Sequence, residues 1–175
     1  MLKRFIILFL LVNFAFAGVI AYQKYSGEQE ERYSRPVERS EELLGVWLSV
    51  PLPDDMRQKI NTQDPAPAAP YHSLAISADG KLREIRSSAP FTQNAAELKK
   101  SLKRIKTPSA WEFSNGVLTI KPAEQRQVQE TWSVFLVTKQ HEKDNFVVQP
   151  GDMLMLLMDE KGKPVFYRHM RRIGE

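Results

Sequence analysis

The sequence predicts a mainly β fold: an antiparallel meander of about eight or nine strands closed into a barrel, with one amphipathic helix and an N-terminal signal or anchor helix. Three observations carry that expectation. From residue 71 onward, short apolar runs alternate with turn dipeptides such as Asp79-Gly80, Asn115-Gly116, Pro150-Gly151 and Lys161-Gly162. One segment, residues 92–106, switches from the two-residue period of a strand to the period of a helix. At the N-terminus, Lys3 and Arg4 precede a long, predominantly apolar run.

That run, "FIILFLLVNFAFAGVIAY" at residues 5–22, follows the pattern of an export segment: a basic start, then an apolar core. Ala15-Phe16-Ala17 and Val19-Ile20-Ala21 both fit the small-x-small rule of signal peptidase. The run is also long enough to remain as a membrane anchor. Either outcome leaves the basic end in the cytoplasm and exports the rest, so the expected location is the periplasm, with the protein anchored in the inner membrane or released. No Asn-x-Ser/Thr sequon occurs, as suits a bacterial source.

Residues 23–43 open on "QKYSGEQEERYSRPVERS", which is nearly devoid of apolar side chains and is expected to act as a tether, ending in a short helical turn before Gly45. The domain proper is expected over residues 44–173. Residues 46–50 have strand character. "PLPDDMRQKINTQDPAPAAP", residues 51–70, holds five prolines, which no central strand tolerates, so it is expected to be a long loop. Then come "YHSLAIS", "KLREIRS", "AWEF", "VLTIK", "VQETWSVFLVTK", "FVVQ", "DMLMLLMD" and "KPVFYRHMRRI". Gly after Asp or Asn accepts the positive φ of a tight hairpin turn, so most neighbours in sequence should be antiparallel neighbours in space. Closing the meander into a barrel hides its edges.

The helical segment "TQNAAELKKSLKRIK" puts Ala95, Leu98, Leu102 and Ile105 on one face. Asn94 followed by Glu97 has the spacing of a capping box, and Lys103, Arg104 and Lys106 crowd the end where the helix dipole favours cations. Residues 81–106 carry eight basic and two acidic side chains. The helix is expected across a barrel mouth or on the wall, with its basic face in water. In "DMLMLLMD" both strand faces are apolar, so the outer one needs a cover, and the helix leucines are the expected cover.

Gly45-x-Trp47 opening the first strand, the meander behind it and the arginine-bearing last strand resemble a lipocalin-type (calycin) barrel, and more closely the small bacterial lipocalin-like domains. The resemblance implies that Trp47 plugs the closed end and that an arginine of the last strand packs over it. Phe166, Arg168, Met170 and Arg172 share one face by alternation, with Phe166 and Met170 marking it as inward. Arg172 is the expected partner of Trp47, and Arg168 the second choice.

Chemistry is sparse. With no cysteine there is no thiolate metal site, thiol nucleophile, disulfide or lipidated N-terminal cysteine. No Gly-x-Ser-x-Gly or His-Glu-x-x-His occurs, and His72, His141 and His169 lie far apart in sequence, so no catalytic residue, metal site or cofactor is expected. Some lipocalin-like barrels hold haem through a histidine. Here His169 shares a face with Tyr167 and Arg171, pointing outward as a surface histidine. The basic helix lacks interleaved aromatics, so no nucleic acid is expected. What remains is a noncatalytic envelope barrel binding a small apolar or amphipathic ligand, such as a lipid, against Trp111, Trp132, Met153 and Met155. The alternative is a filled-core interaction or assembly protein that meets an envelope partner through residues 51–70 or the basic helix.

Overall fold

A computed structural model of the chain describes residues 33–53, 71–123, 129–143, 146–159 and 164–174. The expected export helix at residues 5–22, residues 23–32 of the tether and residues 54–70 of the proline-rich loop lie outside the described residues. The elements run β1 (Ser34–Pro36), a 3-10 turn (Ser40–Leu43), β2 (Gly45–Val50), β3 (Tyr71–Ile76), β4 (Lys81–Ser87), α1 (Ala95–Lys103), β5 (Ser109–Ser114), β6 (Val117–Lys121), β7 (Glu130–Val137), β8 (His141–Lys143), β9 (Phe146–Val148), β10 (Met153–Met158) and β11 (Pro164–Arg172).

The predicted barrel is present. Eight strands form a closed antiparallel ring in the order β2-β3-β4-β5-β6-β7-β10-β11, and β11 returns to pair with β2 through Arg172 opposite Trp47 and His169 opposite Val50. The ring follows the chain, as short turns demand. Asn115 and Gly116 take φ of 52° and 76°, so both central residues of the β5–β6 turn are left-handed, the geometry that matches the twist of a tight hairpin. β1 pairs with β7 from Pro36 opposite Phe135 to Ser34 opposite Val137, alongside the stretch of β7 that extends past β6.

Alternation sorts the side chains. Partners across the ladders place Trp47, Leu74, Ile76, Leu82, Leu118, Ile120, Trp132, Val134, Met153, Met155, Phe166 and Met170 inside. They belong to one core cluster in which none is more than 6% exposed. Each such burial is worth about 1.5–3 kcal/mol, so this lumen is the main source of the fold's stability.

Two expectations need correction. "FVVQ" is outside the barrel: β9 pairs with β8, inside the segment expected to be a polar turn, as a separate two-stranded sheet. That hairpin, rather than the helix, covers the outer face of β10, because Phe146, Val148 and Val137 cluster with Leu154. The helix instead packs against β3 and β4, with Leu98 and Leu102 each 1% exposed. The reason is connectivity: α1 leaves β4 by a short link, while β10 lies four strands further round the ring. Its capping box is formed, with Asn94 Oδ1 accepting from the Glu97 amide and the Glu97 carboxylate accepting from the Asn94 amide.

The up-and-down path gives the barrel two distinct ends. One carries the β3–β4 and β5–β6 turns, the 3-10 turn and the last residues of β11. At the other end β2, β6 and β10 finish, β3, β7 and β11 begin, and β4 gives way to the segment that carries α1 back along the wall.

Candidate functional site

The first end is closed by the 3-10 turn and an indole. Trp47 has no accessible surface, and its Nε1 donates to the Leu43 carbonyl at 2.8 Å, which ties the ring to the turn lying beneath it. The Arg172 guanidinium carbon stands 4.7 Å from the Trp47 ring centroid, and Nη2 donates to the Glu42 carbonyl at 2.8 Å. Gly45 sits at φ 132°, a conformation L side chains rarely adopt, and a Cβ there would lie 3.7 Å from Arg172 Nε. The Gly-x-Trp pair therefore turns the chain from the 3-10 turn into β2 and drops the indole into the lumen. Glu42 accepts from the backbone amides of Glu38 and Arg39 and from Arg35, and the Arg35 bond, ahead of the backbone bonds, holds its carboxyl at about 2. Arg168, the second choice, lies elsewhere: its guanidinium carbon is 4.9 Å from the Phe166 ring centroid and 5.9 Å from that of Trp132.

Toward the other end, the lumen turns polar. His72, Glu84, Arg86, Glu130 and Arg168 have the same parity as the inward residues of their strands. His72 Nε2 meets Glu84 Oε2 at 2.7 Å; Arg86 Nη2 binds Glu84 at 3.0 Å and Glu130 at 2.8 Å. The other Glu130 oxygen accepts from Trp132 Nε1 at 3.0 Å, so this indole marks the boundary between the apolar and charged halves. Burial pushes the His72 imidazole down to about 4, against the opposing Glu84 bond, and leaves it neutral at pH 7. For Glu84 burial acts the other way, but His72 and Arg86 outweigh it and hold the carboxyl at about 2. An ionised Glu84 can only accept, so Nε2 is the protonated nitrogen and His72 Nδ1 is left as a buried acceptor with no hydrogen-bond partner among the described residues. Burial also lowers Arg168, to about 10.

This network spans the weakest seam of the ring. β4 pairs with β5 only at Lys81 and Leu82, and the rest of β4 has no ladder on that side among the described residues. Glu84 and Arg86 come from that unpaired stretch, and Arg86 reaches across the lumen to β7. Side-chain ion pairs thus join β4 to β7 where backbone bonds to β5 are missing.

Of the residues expected to line an apolar ligand site, Trp132, Met153 and Met155 have no accessible surface. Trp111 is half-buried, packs against the same cluster and donates from Nε1 to the Ser77 carbonyl at 3.0 Å. Two surface depressions lie outside the barrel. A groove of ≈ 640 Å³ is bounded by the 3-10 turn, Leu136, the Gln149 to Asp152 turn, Arg171 and Arg172. A smaller one of ≈ 230 Å³ lies beside Val50, Phe146 and His169.

His169 corrects another expectation. It does face away from the lumen, but the β8–β9 hairpin covers it, leaving it 1% exposed. Its Nε2 meets Asp152 Oδ2 at 2.7 Å, and Arg171 grips the same carboxylate through Nε and Nη2, each at 2.9 Å. Burial would raise Asp152, but His169 and Arg171 hold it far below the usual carboxylate range. Among the described residues, no group of three His, Cys, Asp or Glu side chains is placed to hold a metal ion. Compared with protein-family models, curated proteins and solved structures, the chain matches none.

Proposed function

We propose that this chain is a noncatalytic protein of the bacterial cell envelope, exported by residues 5–22, whose lipocalin-like barrel has a filled core and acts by contacting a partner through its outer surface. One observation carries this reading over ligand storage in the lumen. A void wide enough for a water molecule would leave accessible area on its walls, yet Trp132, Met153 and Met155 have none. An apolar ligand there would have to displace core side chains, and above them the lumen is crossed by paired charges rather than an apolar channel. Among the described residues, the groove beside the 3-10 turn and the basic face of α1 are open to a partner.

The test is to add volume inside. In a filled barrel, Met155→Trp overpacks the core and lowers unfolding stability by about 1–3 kcal/mol. Native mass spectrometry of protein purified from its own membranes should show the mass of the chain alone. A Met155→Trp variant as stable as the parent, together with a reproducible lipid-sized adduct on the parent, would return the lumen to the ligand reading.

A further inference from the structure

We infer that α1 is a bilayer-docking element, whose exposed cations rest on an anionic phospholipid surface at the end of the barrel where the chain enters. The inference rests on the anchored form of the envelope reading above.

At about 100° per residue, Lys100, Lys103 and Arg104 fall within an arc of about 100° opposite Leu98 and Leu102. The leucines are buried against the barrel and the three cations are exposed, with Lys106 exposed just beyond. By contrast, Arg35, Lys81, Arg86, Lys121 and Arg171 each sit in an ion pair. Among the described residues, no carboxylate pairs with Lys100, Lys103, Arg104 or Lys106. This is the unneutralised charge that an anionic partner requires.

The position of the helix selects a membrane as that partner. Lys99 Nζ donates to the Gly174 carbonyl, one residue beyond Ile173, whose amide bonds Val46. The helix is therefore pinned at the closed end. The chain enters at that same end, through β1 against the last residues of β7. Ten residues, 23–32, separate the apolar run from the first described residue. Fully extended they reach about 35 Å, so an anchored barrel keeps its closed end near the lipid headgroups. Over such a distance a weak electrostatic contact is intramolecular and forms readily. It acts only within a Debye length, about 8–10 Å at ordinary salt.

The chain has no cysteine, so a single one introduced at Ala96, which lies on the exposed arc, can be labelled uniquely. Full-length Ala96→Cys carrying a fluorophore is reconstituted into nanodiscs with headgroup-spin-labelled lipid, in either phosphatidylcholine alone or phosphatidylcholine with phosphatidylglycerol. The expected result is strong quenching only in the phosphatidylglycerol discs. High salt should reverse it, and the docking equilibrium constant should fall at least about fivefold for each cation replaced across Lys100→Glu, Lys103→Glu and Arg104→Glu. Replacing the same lysines by arginine should leave it intact. Equal quenching in both discs overturns the inference, and so does quenching that ignores salt, which would mark an apolar rather than an electrostatic contact. Should the reversed variants misfold, the salt dependence of the parent still decides. If the labelled chain does not travel with the discs at all, it is the anchored reading that fails, a distinct outcome.

Discussion

The two halves of the lumen are built on opposite terms. At the closed end, Trp47 lies among aliphatic side chains, and its one polar atom is matched to a backbone carbonyl. Toward the other end, His72, Glu84, Arg86, Glu130 and Arg168 occupy the inward positions, and the Glu84, Arg86 and Glu130 side chains keep 21–27% exposure. Apolar burial stabilises without direction, whereas buried charge must repay its desolvation through geometry and is often no more stabilising than a hydrocarbon of equal size. The lower half accordingly holds the barrel together. The upper half contributes specificity: it links β4 to β7 at the seam where the β4–β5 ladder stops after two residue pairs.

The sharpest way to break this contrast is at the cork. Trp47→Ala should cost about 3–5 kcal/mol in denaturant unfolding, the loss expected for a fully buried tryptophan. A loss under about 1 kcal/mol would mean that the 3-10 turn closes the barrel without it.

The polar half should show itself in acid. His72 titrates near 4 in the folded chain and near its ordinary 6.5 when unfolded. Between those values the unfolded state binds the extra proton, so stability is complete above pH 6.5 and falls as the pH drops toward 4. Glu84, held at about 2, extends the loss below its ordinary 4.5. His72→Gln removes the upper step while keeping a donor for Glu84. Between pH 7 and 4 the parent should therefore lose at least about 1 kcal/mol more than the variant. Identical pH profiles would show that His72 takes up its proton equally in both states.

The smallest effect sharpens the closed end. Arg172 is exposed on one side and packs on Trp47 with the other, so Arg172→Ala should cost about 1 kcal/mol. Arg172→Lys should recover only part of this, since a lysine cannot both cover the indole and reach the Glu42 carbonyl in the same fork geometry. Full recovery by lysine would reduce the contact to simple charge.

Much of the fold was legible because its signals are local. Asp79-Gly80 and Asn115-Gly116 mark hairpins through backbone sterics alone, and the Asn94 and Glu97 spacing marks the start of α1. The polar half of the lumen was not read from the sequence, although parity carries a signal for it: His72 shares the parity of Leu74 and Ile76, and Glu84 and Arg86 that of Leu82. A search by motif passes over them because the five groups come from four strands. The cover on β10 was misassigned for another reason. Leu98 and Leu102 and the β8–β9 hairpin are equally apolar candidates, and nothing in their composition says which one reaches Leu154.

By itself, then, the sequence determined the meander, its turns, the amphipathic helix and the Gly-x-Trp entry into the first strand of the ring, because each depends on residues within a few positions of one another. Only the tertiary structure decided that the lumen is packed around Trp132, Met153 and Met155, that His169 is buried beneath a hairpin, and that five charged or titratable groups meet above the core. Those outcomes depend on the closing of β11 onto β2 and on strands far apart in the chain, where packing rather than local preference sets which side chains meet.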